Sequence, residues 1–512
     1  MARVRRVVKK KKTKKKKKAA VSVSNDVAMG EGSAGRSGAQ KESGSRPSVW
    51  RPGVDEIGDE EELQYDPTAY ECLHWFSLEW PSLSFDIMRD NLGAQRMEFP
   101  HTLYFVAGTQ ALMAKSNGLV IVKLSNLTKM KHPKLQNEGD DGNDDGDDDD
   151  SGDSSSSSEE DEEEEDKEVE AMRNSKTQPF EKSVNADLAN KKKPGLRTRR
   201  VAHHGGVNRV RSMMQHPGIV ASWAETGHVQ VWDLSTHLNA LAEVDQSGMS
   251  TSGAAAKEGA AFLPPLQVFT GHAEEGFALD WSPVTAGRLV SGDNKKGIHL
   301  WEPSVGGKWT IERSPYRGHV GSVEDLQWSP TEADVFASCS ADQTMRIWDT
   351  RSRDASALTV KAHAADINVI SWNRLASCML ASGCDDGSFR IWDLRNFKED
   401  SFVAHFNYHS GPITSIEWSC EDSSMIACTS ADNVLTIWDL SLERDPEEEE
   451  EFTRGDTSLA APPEDLPSQL LFVHQGQKDL KEVHWHPQIP GLLISTASDG
   501  FNVFKPSNLA NV

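Results

Sequence analysis

The chain is poor in sulfur chemistry. Its six cysteines, Cys72, Cys339, Cys378, Cys384, Cys420 and Cys428, form no CxxC pair, and most sit in apolar, strand-like runs where a buried reduced thiol is the ordinary outcome. Neither a zinc cage nor a disulfide framework is expected, and no cofactor is implied. Long apolar runs are also missing. No stretch approaches the roughly 18 to 20 residues that a membrane helix needs, and no apolar core follows the basic first residues as it would in a signal peptide. The expectation is a soluble, intracellular protein with no membrane partner.

Charge of one sign is absent over long stretches. Overall, 55 Lys and Arg oppose 79 Asp and Glu, a net charge of −24. Residues 3–18 hold twelve cations and no acid, so 43 cations are left against all 79 carboxylates in the rest of the chain. Residues 138–166 hold eighteen carboxylates and no cation. Such a segment repels itself, stays hydrated and cannot bury a core. The expected organisation is a disordered polybasic head (1–60), a disordered acidic insertion (138–170), an acidic loop (445–467) and a short tail (507–512).

What the chain has in abundance is a repeat. In "GHAEEGFALDWSPVTAGRLVSGDNKKGIHLWE" and the three copies that follow it, His272, His319, His363 and His409 each precede Trp301, Trp348, Trp392 and Trp438 by 29 residues. A second tryptophan, Trp281, Trp328, Trp372 or Trp418, lies nine residues after each histidine. His203 to Trp232 keeps the same interval, and a diverged copy ends at Phe504. This resembles the WD-repeat family, which implies four-stranded blades of a β-propeller. With "TLYFVAGTQALMAKSNGLVIVKL" supplying one more blade, the fold class is all-β: a seven-bladed propeller over residues 81–506. Residues 82–90, "SLSFDIMRD", would complete the last blade, because a propeller must pair its first and last blades. The insertions at 138–170 and 246–261 would then lie between strands of the early blades.

The repeats carry groups that could imitate a hydrolytic triad, such as His319, Ser338 and Asp342, or His363, Ser382 and Asp386. A triad occurs once per site around an open pocket. Recurrence points instead to a hydrogen-bonded lock between turns and strands. Cys428 at the serine position and Lys295 at the aspartate spacing are tolerable in such a lock and fatal in an active site. No enzyme is expected.

"YDPTAYECLHWFSLEWPSLSFDIMRD" reads as an N-terminal helix over 65–80, since Asp66 is a good cap, Pro67 suits a first turn, and Tyr70, Leu73 and Phe76 recur at three-residue steps. Here the chain resembles the histone-chaperone branch of WD-repeat proteins, the retinoblastoma-binding and chromatin-assembly subunits, which share "LEWPSL" and an acidic loop with a "PP…LLF.H.G" pattern, here within residues 445–476. That resemblance implies a client groove between helix and loop, lined by Tyr70, Leu73, Glu464, Asp465 and Leu466. The chain is most similar to the glutamate-rich WD-repeat subfamily, of the regulator of ribosome biosynthesis type, which adds "TLYFVAGTQA" and the long acidic insertion. This implies a nuclear and nucleolar chaperone for a basic large-subunit ribosomal protein, possible core-histone binding, and no specific nucleic-acid readout.

Charge leads to the same class of partner, because a mobile polyanion competes with nucleic acid for basic proteins. Its densest runs are Asp147, Asp148, Asp149 and Asp150, and Glu162, Glu163, Glu164 and Glu165. Ser154, Ser155, Ser156, Ser157 and Ser158 precede acids and are phosphorylation candidates, each phosphate deepening the negative charge. The polybasic head reads as a nuclear address or a nonspecific nucleic-acid contact. Arg351 and Arg395 close WDxR elements resembling those of substrate receptors of cullin-based ubiquitin ligases, an alternative that makes a ligase adaptor the partner.

Overall fold

The computed structural model describes residues 66–130, 193–243, 263–352, 355–442 and 466–509, with the backbone of three short strands ahead of them. Seven four-stranded antiparallel sheets form a closed propeller. The first blade is built from Ser84–Ile87, His101–Gly108, Gly118–Leu127 and Gly195–Ala202. The sixth runs Ile413–Trp418, Met425–Ser430, Val434–Asp439 and Leu470–Gln475. In every blade the first strand is innermost and the fourth outermost. The second and third strands are nearly all buried, as over the whole of Met425–Ser430. Strands covered on both faces read as continuous apolar runs rather than alternations.

Closure differs from expectation. Blade seven takes Leu480–Trp485, Leu493–Ala497 and Gly500–Pro506 from the C-terminal end, and its outer strand is Tyr70–Phe76. Residues 65–80 are therefore a strand and not the expected helix. Asp66 does cap, its Oδ1 accepting from Thr68 N at 2.9 Å, but the turn it starts is a 3-10 helix of three residues, Pro67–Ala69. Beyond it, Gly500–Pro506 offers an open edge whose ladder runs from Phe76↔Phe501 to Cys72↔Lys505. That pairing overrides the three-residue spacing of Tyr70, Leu73 and Phe76. Residues 82–90, expected to close blade seven, instead supply the innermost strand of blade one.

Two further points depart from expectation. The head expected to be without structure contains Val4–Val8, which pairs antiparallel with Glu61–Tyr65 and with Val49–Trp50; "VRRVV" is rich in β-branched residues. Among the described residues the single α-helix is Ser235–Glu243, after the third strand of blade two. It buries Leu241, whose carbonyl accepts from the buried Lys123 Nζ at 2.9 Å.

Adjacent blades are stitched along the inner strands. A first strand has only one sheet neighbour, so its outward N–H groups need acceptors. Polar side chains of the preceding blade supply them: Asp280 Oδ2 accepts from Trp328 N at 2.8 Å, Asp325 Oδ2 from Ile370 N at 3.1 Å and Glu417 Oε2 from Trp485 N at 2.8 Å. The second tryptophan of each repeat does the converse. The indole N–H groups of Trp281, Trp328, Trp418 and Trp485 donate to the carbonyls of Arg211, Asp280, Ser371 and Glu417 one blade back. Trp372 is the exception and donates within its own blade to Ser377 O.

Candidate functional site

The triad-like groups are structural. In blade four His319 Nδ1 meets Asp342 Oδ2 at 2.9 Å, His319 Nε2 meets Ser338 Oγ at 2.7 Å, and Trp348 Nε1 donates to the same Ser338 Oγ at 2.8 Å. Ser338 and Trp348 are fully buried, so no substrate reaches the hydroxyl. Burial lifts the Asp342 carboxyl, but bonds from His319 and Thr344 overcome it and hold the group well below the usual carboxylate range. The two sequence departures are compensated from other positions. Asp293, two residues ahead of Lys295, takes His272 Nδ1 at 3.0 Å. Thr436 replaces the missing serine hydroxyl at Cys428, meeting His409 Nε2 at 2.9 Å and accepting from Trp438 Nε1 at 2.8 Å. The thiols show no nucleophilic character either: burial pushes Cys72 and Cys420 up to about 12, and all six cysteines are free.

The largest buried ionic cluster lies where the ring closes. Glu482, on the inner strand of blade seven, is 1 % exposed and receives Arg209 Nη1 and Arg211 Nη2, both at 2.7 Å, from the inner strand of blade two. Its other oxygen accepts from Phe85 N of blade one at 2.9 Å. One carboxylate thus ties three blades across the closure. His484 sits beside it, its Nδ1 3.2 Å from Glu417 and its Nε2 3.1 Å from Phe85 O. Burial opposes charge on His484, yet Glu417 and Glu482 hold its pKa up at about 10. Burial likewise opposes the Glu482 anion, and Arg211, His484 and Arg209 hold it far below the ordinary range. The sequence reading missed this cluster. Its signal was available in "VNRVRS" and "LKEVHW", where charges alternate with apolar residues inside strand-like runs.

The flank of blades six and seven is where the expected client groove falls. Tyr70 and Leu73 do not line an open groove: they are 4 % and 7 % exposed and pack with Phe472 and Phe504. The Tyr70 ring stands edge-on to Phe472 at 5.3 Å, and its hydroxyl pairs with His474 Nδ1 at 2.8 Å. The helical reading put both side chains on an outward face; the strand turns them into the core. Leu466 packs at the margin of the neighbouring core cluster. Glu464, Asp465, the acidic tract and Ser154 to Ser158 lie outside the described residues. What the flank leaves open is Trp75, 54 % exposed on the outer strand, with Glu71 nearby holding Lys505 at 2.9 Å and Lys129 at 3.0 Å. Arg351 and Arg395 are exposed, each clamped to its own blade's aspartate at 2.6 Å, Asp349 and Asp393.

A closed ring of seven WD blades, with every repeated polar group spent on internal bonds, defines a WD-repeat scaffold. Comparisons with known proteins agree. The WD domain, G-beta repeat, matches residues 310–349, 355–393 and 400–439. A family described as that of the histone-binding protein RBBP4 and the matching component of the CAF1 complex fits residues 60–128. Among similar proteins, Glutamate-rich WD repeat-containing protein 1 of Dictyostelium discoideum is 49 % identical over 87 % of this chain and 82 % of its own length. Protein HEAT STRESS TOLERANT DWD 1 of Arabidopsis thaliana is 51 % identical, covering 88 % and 89 %. Ribosome assembly protein rrb1 of Schizosaccharomyces pombe is 40 % identical, covering 87 % and 82 %. The chain belongs to the glutamate-rich WD-repeat family.

Proposed function

We propose that the chain is a non-enzymatic chaperone and scaffold of the nucleus and nucleolus that holds a basic client, a ribosomal protein of the large subunit, for assembly. The observation that carries this is topological. In antiparallel blades the first-to-second and third-to-fourth connections open on one face of the ring, and the other connections open on the opposite face. The acidic insertion departs between Leu127 and Gly195 and the acidic loop between Asp439 and Leu470, both third-to-fourth connections. Both polyanions are therefore anchored on the same face, two blades apart across the closure. A highly basic protein released from synthesis binds nucleic acid indiscriminately, and a fixed pair of polyanions competes with phosphate for it. The relative named as a ribosome assembly protein supports this choice of client.

A second reading, a core-histone chaperone in chromatin assembly, is favoured by the match of residues 60–128 to a histone-binding family. Burial of Tyr70 and Leu73 weighs against a groove built as the sequence suggested. Affinity purification at moderate salt followed by mass spectrometry separates the readings. Large-subunit ribosomal proteins are expected to dominate. Dominance of core histones, or of a ligase adaptor contacting Arg351 and Arg395, would replace the proposal.

A further inference from the structure

Blade five breaks the pattern of its neighbours. In blades three, four and six the repeat histidine gives Nδ1 to an aspartate at 2.9 to 3.0 Å. His363 in blade five keeps the bond between Nε2 and Ser382 Oγ at 2.8 Å, but its Nδ1 has no hydrogen-bond partner although the ring is 3 % exposed. A buried, unpaired ring nitrogen is costly and asks for an explanation. Beside it stand Cys384 and Asp386. The ligating atoms of all three residues lie within 4.8 Å of one another. The cysteine is peculiar to this blade. Ser340 and Ser430 hold the equivalent position in blades four and six, where their hydroxyls accept from Asp342 N and Asp432 N at 3.0 and 3.2 Å. In blade five the thiol lies against the Asp386 carboxylate instead.

We propose that His363 Nδ1, Cys384 Sγ and Asp386 form a binding site for a thiophilic divalent cation, Zn²⁺ being the best match, on the face opposite the acidic anchors. The chemistry of the donors fits. Imidazole, thiolate and carboxylate are the three ligand types zinc takes, and a set of three leaves the fourth tetrahedral position to water. With Nε2–H donating to Ser382 Oγ, the ring presents its lone pair at Nδ1, which is the tautomer a metal requires. Asp386 is exposed at the rim and gives the ion a way in. Zinc bonds of about 2.0 to 2.3 Å put tetrahedral ligands about 3.5 Å apart, so the three donors need to close by little more than an ångström, within reach of side-chain rotation. On binding, the thiol proton leaves to solvent as the sulfur–metal bond forms, and no redox partner is needed.

The test uses the full chain with Co²⁺ as a spectroscopic substitute for Zn²⁺. Oxygen donors of the acidic tract also bind cobalt, but only a thiolate ligand produces a sulfur-to-cobalt charge-transfer band. Cys384→Ser is the informative variant, because serine already serves in blades four and six and the fold should melt unchanged without metal. The expected result is one equivalent of cobalt showing the charge-transfer band, displaced by Zn²⁺, with the band abolished in Cys384→Ser. Asp386→Asn, an exposed change, should keep the band and weaken Zn²⁺ competition at least about tenfold. Absence of the band in the unmodified protein, or its persistence in Cys384→Ser, would overturn the proposal.

Discussion

Glu482→Gln is the most searching perturbation of the ring. The side chain keeps its shape and one acceptor, and loses the charge that Arg209 and Arg211 share at 2.7 Å each. Removing one member of a buried ion pair strands the other, at a cost of about 3 to 5 kcal/mol. Two arginines are involved, but each keeps a further bond, Arg209 Nε to Phe277 O at 2.9 Å and Arg211 Nη1 to Val210 O at 2.9 Å, which argues against exceeding that range. With about 2.1 cal/mol/K of unfolding entropy per residue over a propeller of roughly 340 residues, the loss corresponds to about 4 to 7 °C in melting temperature. The assay is calorimetric or circular-dichroism melting of the full chain, repeated in an Arg211→Met background. If the cluster ties the closure as described, the two changes are coupled by about 1 to 3 kcal/mol rather than additive. A variant melting within about 1 °C of the parent, with no coupling to Arg211, would refute the claim that this carboxylate holds blades seven, one and two together.

Thr436→Val should destabilise by about 1 to 3 kcal/mol in urea titration, since His409 and Trp438 lose one shared oxygen, whereas Cys428→Ser should fall within about 0.5 kcal/mol. Alkali should weaken the ring: His484 is held at about 10 in the fold against an ordinary value of 6.5, so its contribution is complete below pH 6.5 and drains as pH rises towards 10. Melting series above the range of Asp280, which burial lifts to about 7, should show this decline in the parent and a flatter profile in His484→Gln. Deleting residues 3–18 should weaken nuclear and nucleolar accumulation, scored by fluorescence of a tagged chain, and leave the melting of the propeller unchanged. Deleting residues 138–166 should slow association with a basic ribosomal protein and flatten its salt dependence, while reversing Glu464 and Asp465 to Lys should leave general attraction to polycations and abolish preference between that protein and a histone; stopped-flow kinetics across a salt series reads both.

The repeated blades were legible because their signal is local and recurs: histidine, two tryptophans and apolar runs at fixed intervals leave few alternatives. The closing strand was not. Tyr70, Leu73 and Phe76 fit a helical face as well as they fit a strand, and the decision lies more than four hundred residues away, at the open edge of Gly500–Pro506. The compensated locks show the same limit. Cys428 and Lys295 look like lost positions when the repeats are laid side by side, while Thr436 and Asp293 recover the bonds from positions where no repeat residue is expected. The ionic cluster was hidden for a related reason. A charge in an apolar strand reads as solvent-facing until the partner from another blade is known.

The closure concentrates more than stability. All other blade-to-blade junctions join consecutive segments of chain, so separation there is opposed by a short covalent connection. Blade seven alone is completed from the far end, by Tyr70–Phe76, and its neighbour's inner strand begins only eight residues later at Ser84. The strand and the turn Ser507–Leu509 are then pinned together by Ser507 Oγ donating to Thr68 O at 3.0 Å and Asn508 Nδ2 to Leu471 O at 3.0 Å. The flank where the family resemblance sets its client is thus made of the same residues that hold the ring shut. A client seated there would add to the closing contacts and raise the stability of the ring by mass action, in proportion to its occupancy. Loss of binding in a Tyr70 or Leu73 variant consequently says little about recognition, since those side chains fill the core beneath. The positions that separate the two effects are those on the surface of the same flank, Trp75 and the carboxylates of the acidic loop, where a change alters what a partner meets without opening the seam.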